Sequence, residues 1–164
     1  MEFRTRQATA EDREPLFSLY GGVLKKHIAD IWGWNDEWQQ KDFDTHFRPQ
    51  DVTVLLDADR IIGYMQEEDR CDALWLRMIA ILPECQSKGV GGRVLRQLID
   101  RTNRQAKDVA LAVFKINTEA RRFYERFGFI VEDETPTHCN MRRKRSELPN
   151  QVPDTARKLA DPQH

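Results

Sequence analysis

Residues 79–92 read Ile-Ala-Ile-Leu-Pro-Glu-Cys-Gln-Ser-Lys-Gly-Val-Gly-Gly and carry the strongest chemical signal in the chain. An apolar, strand-like run, Ile79-Ala80-Ile81, passes into a loop, Gln86-Ser87-Lys88-Gly89-Val90-Gly91-Gly92, and a helical pattern follows it. The first amides of a helix have no partner inside it, and the helix dipole adds positive potential at the same place. Together they make an anion site. Gly89 and Gly91 are expected to remove the Cβ atoms that would block a phosphate, and Lys88 adds a cation. The natural guest carries a pyrophosphate. The nucleoside-triphosphate pattern, GxxxxGK followed by Ser or Thr, is absent because Lys88 precedes the glycines. The dinucleotide fingerprint GxGxxG fails at its third glycine, where Val94 stands. Glycines alone would also serve a turn that binds nothing.

A second segment narrows the choice. Gln86-Ser-Lys-Gly89-Val-Gly91 resembles the loop Gln/Arg-x-x-Gly-x-Gly/Ala of the GNAT acetyltransferases, and Asn117-Thr-Glu-Ala120-Arg-Arg-Phe123-Tyr124-Glu-Arg-Phe-Gly128-Phe129 is similar to that family's N-x-x-A-x-x-F-Y-x-x-x-G-F. The two lie about 30 residues apart with the expected strand and helix order, and the resemblance covers roughly residues 3–143. It implies an α/β fold with a mixed, mostly antiparallel sheet flanked by helices on both faces. It implies acetyl-CoA as co-substrate, with the pyrophosphate on the loop amides and the pantetheine arm paired along Ile79-Ala80-Ile81 like an added strand. Asn117 matches a coenzyme-contacting Asn, and Tyr124 the family's catalytic tyrosine.

The chemistry of acetyl transfer suits those residues. Attack of an amine on a thioester expels a thiolate, so the site needs an acid near the sulfur and a donor for the carbonyl oxygen. A phenol with a pKa of ~10 stays neutral beside a thiol of ~8.5 and can protonate it. Phe123 and Tyr124 could instead be plain core aromatics, and Asn117 also suits a helix N-cap before Thr-Glu-Ala. The oxyanion donor is expected to be a backbone N–H near Ile81. No base is assignable: the family positions that carry Glu or another acid in some members hold Ala112, Trp75 and Arg77 here. Glu37, Glu67 and Glu68 remain candidates. A coenzyme A-binding sensor without catalysis, or a partner-binding module, is the alternative.

Three of the four tryptophans, Trp32, Trp34 and Trp38, cluster with Asp36 and Glu37. Aromatics beside carboxylates suit a cationic amine, so Trp34 and Glu37 are the expected acceptor contacts. The same segment would also serve as a helix–helix connection with core-filling tryptophans. The three cysteines lack CxxC spacing and the four histidines lack HxxxH, so no metal is expected.

The elements that must position these residues follow from periodicity. Residues 3–8 alternate as a strand, and Thr9 with Asp12 resembles a capping box. Leu16, Tyr20, Leu24, Ile28 and Ile31 share a helical face, in which Pro15 and Gly21-Gly22 predict a late start, a bend or two pieces. A second helix is predicted over 36–47, and a hairpin over 52–56 and 61–67 around Asp57-Ala58-Asp59-Arg60. Further strands are predicted at 74–82, 109–116, 129–132 and 138–143, and helices from Gly89 and over 119–127. Residues 109–116 read as buried on both faces.

One domain over 1–145 with a polar, proline-bearing tail over 146–164 accounts for the 164 residues. Basic and acidic residues balance, 26 against 27, which gives no global pull toward nucleic acid or an anionic membrane. Arg142-Arg143-Lys144-Arg145 reads as a solvated strand end. There is no run of membrane-span length and no secretory signal, so a cytoplasmic location is expected. The expected partners are acetyl-CoA and an amine, and a homodimer is left open.

Overall fold

The structure, a computed structural model, describes residues 1–146; the expected tail lies, from residue 147 on, outside the described residues. Seven strands form one sheet: β1 (Arg4–Gln7), β2 (Val52–Asp57), β3 (Arg60–Asp69), β4 (Ala73–Ile81), β5 (Asp108–Phe114), β6 (Ile130–Glu134) and β7 (His138–Arg143). Four helices flank it: α1 (Arg13–Trp32), α2 (Asp36–His46), α3 (Val90–Arg104) and α4 (Thr118–Glu125). The strand order is β1-β2-β3-β4-β5-β7-β6. Every neighbouring pair is antiparallel except β4 and β5. A parallel pair cannot be joined by a tight turn, and α3 supplies the crossover.

The sheet separates two apolar layers. Val94, Leu95, Leu98 and Ile99 of α3 pack on Leu74, Leu76, Leu111 and Val113, with Tyr124 and Phe129 in the same cluster. On the opposite face Leu16 and Leu19 of α1 and Phe43 of α2 pack on Val52, Val54, Tyr64 and Ala80. β1 is an exposed edge strand. The Thr9 backbone N–H donates to Asp12 Oδ2 at 2.8 Å, and Arg6 closes the group with two bonds to the same carboxylate. That bonding holds the Asp12 carboxyl below its ordinary range, Arg6 first among the causes.

Three expectations hold only in part. α1 is a single 20-residue helix: it starts late, at Arg13 after a 3-10 turn over Ala10–Asp12, and is not in two pieces. Pro15 falls in its first turn, where a missing N–H costs nothing, and the Trp34 ring packs over Gly21, 3.9 Å from where a Cβ there would lie. β5 ends at Phe114 and is closed on both faces only at Val109, Ala110 and Leu111; toward its end Val113 is buried, while Ala112 and Phe114 are half-buried and line a cleft. The basic run is a solvated strand end only in part: Lys144 and Arg145 are exposed, but Arg142 and Arg143 are not. Arg142 pairs with Glu132 at 3.0 Å and with Asp72 and Asp108 at 3.3 Å, and Arg143 Nε donates to the Phe127 carbonyl at 2.9 Å. These residues tie β7 to its neighbours. Among the described residues no helix is long and apolar enough to cross a membrane.

Candidate active site

The glycine loop forms as its residue types require. Gly89 caps α3 with φ +82°, a left-handed conformation that glycine adopts without strain, and an added Cβ there would meet nothing within 4 Å. Val90 is buried and anchors the start of the helix. The first intrahelical bond runs from Arg93 N to Gly89 O at 3.1 Å. The backbone N–H groups of Ser87, Lys88, Gly89, Val90, Gly91 and Gly92 donate to no backbone acceptor among the described residues. Gln86 Nε2 ties the loop back to the Ile81 carbonyl at 2.9 Å. Gly91 differs from its expected role. A Cβ there would lie 3.2 Å from Ile81 Cδ1 and 3.5 Å from Phe123, so its missing side chain lets α3 approach β4 and α4. The open space beside the amides is at Gly89.

Next to the loop the sheet opens. β4 pairs with β3 out to Ile81, but with β5 only at Ala73, Leu74 and Trp75. Beyond Trp75 the two strands part. Within the β3–β4 ladder Gln66 faces Met78 and Glu67 faces Leu76, which leaves Arg77 as an extra residue. Such a bulge bends its strand and raises the local twist. The outer edge of β4 therefore faces an open seam. Leu82 N bonds to Ile62 O at 2.9 Å, and alternation along the ladder then turns the N–H and C=O groups of Ile79 and Ile81 toward the seam. Ala80 points its backbone at Tyr64 and its methyl into the core.

Asn117 and Tyr124 close the seam from the β5 side. The Asn117 side chain accepts from Ala120 N at 3.1 Å and caps α4, so capping and a place in the cleft coexist. Tyr124 packs edge-on against Phe123 and Phe129. Burial pushes its phenol well above the ordinary value, and among the described residues no charge or hydrogen bond offsets it. Gly128, at φ +88°, ends the segment, and Phe129 N bonds back to Tyr124 O at 3.2 Å.

A cleft of about 290 Å³ runs from these residues to the α1–α2 face of the sheet. All three tyrosines of the chain, Tyr20, Tyr64 and Tyr124, line it. Burial followed by the Asp42 charge pushes the Tyr20 phenol up to about 12, with Arg77 acting in the opposite sense. Burial also lowers His138, whose ring lies 4.7 Å from Phe114 and whose Nδ1 is 2.7 Å from Thr137 Oγ1. Asp42, His46, Gln66 and His138 were not singled out by sequence. They come from three elements, and no local motif brings them together.

The sequence-expected acceptor residues lie elsewhere. Trp34 packs on Tyr20 at 6.2 Å between ring centroids and lies under Lys25. It supports a cleft residue without lining the cleft. Glu37 is exposed and pairs with Lys41 at 3.4 Å. Trp32, also exposed, stands over Phe114 and His138. Of the three candidate bases, Glu67 pairs with Arg101 at 2.5 Å and Glu68 with Arg77 and Arg70 at 3.3 and 3.1 Å.

The sequence matches the acetyltransferase (GNAT) family over residues 12–129. A spermine/spermidine N(1)-acetyltransferase of Bacillus subtilis (strain 168) is 34% identical over 70 residues, 42% of this chain and 46% of that protein. The chain thus spans about half the length of the curated relative it matches. Two solved structures share the fold. The PaiA N-acetyltransferase of Thermoplasma acidophilum in complex with coenzyme A has a TM-score of 0.72 at 19% identity, over 88% of this chain and 99% of that one. The ribosomal-protein-S18-alanine N-acetyltransferase of Escherichia coli has a TM-score of 0.70 at 17% identity, over 92% and 99%.

Proposed function

Because the chain belongs to the GNAT acetyltransferase family, we propose that it transfers an acetyl group from acetyl-CoA to the nitrogen of a primary amine, by direct attack of the amine on the thioester. One observation carries the proposal: a seam between β4 and β5 that opens beside six unengaged loop amides. The amides of residues 87–92 suit a pyrophosphate, and Lys88 supplies a nearby cation. Ile79 offers its N–H and C=O, and Ile81, whose carbonyl accepts from Gln86, its N–H, to a pantetheine amide, and Asn117 stands on the β5 side of the seam. Coenzyme A fits a site of this shape and polarity, and acetyl-CoA brings an activated acyl group with a stabilised thiolate as leaving group.

The chain's own residues would then do three things. The loop fixes the coenzyme by its phosphates, which leaves the seam to direct the thioester toward the cleft. Tyr124 keeps its proton at neutral pH, since burial raises its pKa, and its hydroxyl can pass that proton to the departing sulfur. The half-exposed carboxylate of Asp42 and the ring of His46 offer places for the proton that the ammonium must shed before it attacks. The acceptor class does not carry over from the Bacillus relative, whose match covers 46% of its length.

The test is a thermal melt with and without acetyl-CoA, joined to release of free thiol with a panel of amines. Acetyl-CoA should raise the midpoint by mass action. Gly89→Val should abolish that rise, because φ +82° is strained for a β-branched residue and its side chain would enter the open space by the amides. An undiminished rise in that variant would remove the loop from the coenzyme site.

A further inference from the structure

Among the described residues, and besides its two histidines, the cleft is lined by only two charged side chains, Asp42 and Arg77. They carry opposite signs. Both line the same cleft, together with Tyr20 and Tyr64. A guest that brings only positive charge would find one acid and one opposing guanidinium. A guest that brings an ammonium and an anion would find a partner for each.

Arg77 is built for the second case. It is the extra residue of the β4 bulge, and a bulge re-aims the side chain it carries. Its side chain is 29% exposed, and its contact with a carboxylate is a single one, Nη1 to Glu68 Oε1 at 3.3 Å. Glu68 is shared with Arg70 at 3.1 Å, so one carboxylate serves two guanidinium groups. A guanidinium has five N–H donors in a planar fork that matches a carboxylate. The other donors of Arg77 take no partner among the described residues. Holding a cation in a half-buried cleft costs free energy unless an anion meets it there. The acid of the cleft is equally particular. Asp42 Oδ1 lies 3.4 Å from His46 Nδ1, and both side chains remain about two-fifths exposed. Gln66 Nε2 fixes the end of that helix through the His46 carbonyl at 2.7 Å.

We infer that the amine acceptor also carries a carboxylate, held by Arg77 in the cleft that Asp42 also lines, as in an amino acid; the inference rests on the acetyltransferase function proposed above. Arg77 sets the acceptor's orientation, and the amine end is left facing the seam.

The experiment follows thiol release from acetyl-CoA with matched acceptors: a set of amino acids, the same set as carboxamides, the corresponding decarboxylated amines, and spermidine as a polyamine. The native protein should prefer the free carboxylates. Arg77→Gln should lower kcat/KM for the amino acids by roughly ten- to a hundredfold, the range of a lost charge-assisted pair, and leave the carboxamides and the KM for acetyl-CoA unchanged. Arg77→Lys, which keeps the charge and loses the fork, should fall between them, and its unaltered melt would show that the fold tolerates change at this position. Preference for spermidine or for the carboxamides, or an equal loss on all acceptors in Arg77→Gln, would overturn the inference while the transferase function stood. Absence of thiol release with every acceptor would overturn both.

Discussion

Gly63 offers a sharp test of how the seam is held open. It lies in β3 opposite Ile81, and a Cβ placed on it would come 2.6 Å from the Ala80 carbonyl oxygen, 3.2 Å from Leu55 Cδ1 and 3.3 Å from Ile81 Cα. A contact under 3.0 Å is one that real Cβ atoms essentially never show. The nearest atom is main chain, and Ala80 and Leu55 are fully buried, so no flexible side chain can yield. Gly63→Ala must therefore push β3 from β4 or tilt the end of β4. Overpacking of a tight interior costs about 1–3 kcal/mol. The stiffer unfolded chain returns about 0.4–1 kcal/mol. The net loss is about 1–2 kcal/mol, or roughly 2–8 °C in the melting midpoint of a domain this size. Gly22→Ala is the control. It lies inside α1, exposed, with nothing within 4 Å of a new Cβ, and it should gain about 1 kcal/mol from helix propensity. Circular dichroism melts of the two variants should shift in opposite directions. Because Ile81 borders the seam, Gly63→Ala should also shrink the stabilisation by acetyl-CoA, whereas Gly22→Ala should keep it. A Gly63→Ala midpoint at or above the native one would refute the claim that the β3–β4 contact is closed to a methyl group.

Two further outcomes follow from the tyrosines. Tyr124→Phe should leave the acetyl-CoA stabilisation intact and reduce kcat by up to ~10²–10⁴-fold, toward the lower figure because a coenzyme thiolate already leaves readily; full activity in the variant would make Tyr124 structural only. Alkaline stability should also fall. Folded Tyr20 is raised to about 12, and Tyr64 and Tyr124 are raised further, by burial in each case, so their contribution is intact below the unfolded value near 10 and is lost as pH rises above it. Each phenol that ionises only on unfolding costs about 1.4 kcal/mol per pH unit. Tyrosinate absorbance should then appear with unfolding, and a gradual rise in the still-folded protein would contradict the burial.

The fold was legible wherever one short segment decides an element. The Asp57-Ala58-Asp59-Arg60 turn predicts the β2–β3 hairpin, and Ala58 takes the positive φ that such a turn needs. The spacing of Val94, Leu95, Leu98 and Ile99 predicts α3, and all four are buried. Failures came where local preference met tertiary contact. Gly21-Gly22 should weaken a helix, but α1 packs across the sheet and Trp34 fills the space beside Gly21. Arg142 looked free because its three carboxylates, Asp72, Asp108 and Glu132, come from three separate parts of the chain. Gly63 gave no sign of its importance, since the clash that excludes a methyl group lies on another strand.

The same division separates the two halves of the candidate site. The coenzyme half is local: residues 79–92 and 117–124 each build their part through a strand end, a loop or a helix cap, and each part shows as a contiguous pattern. The acceptor half is assembled by distance in sequence. Tyr20 comes from α1, Asp42 and His46 from α2, Gln66 from β3, Arg77 from β4 and His138 from β7. Composition pointed to Trp34 and Glu37 because aromatic and acidic residues are dense there, but density in sequence is not convergence in space. Along α2 a residue five positions from Glu37 lies more than a full turn away, and Asp42 is the carboxylate that meets the cleft while Glu37 meets Lys41 and solvent. The β4 bulge is equally hidden. It needs two strands in register, so a sequence can show Arg77 as a departure from the family's acid but not as a cation aimed into the cleft. A signal that could have found it is the charge itself: an arginine within an otherwise apolar run, Ala73-Leu-Trp-Leu-Arg-Met-Ile-Ala-Ile81, is expensive to keep in a central strand unless something meets it.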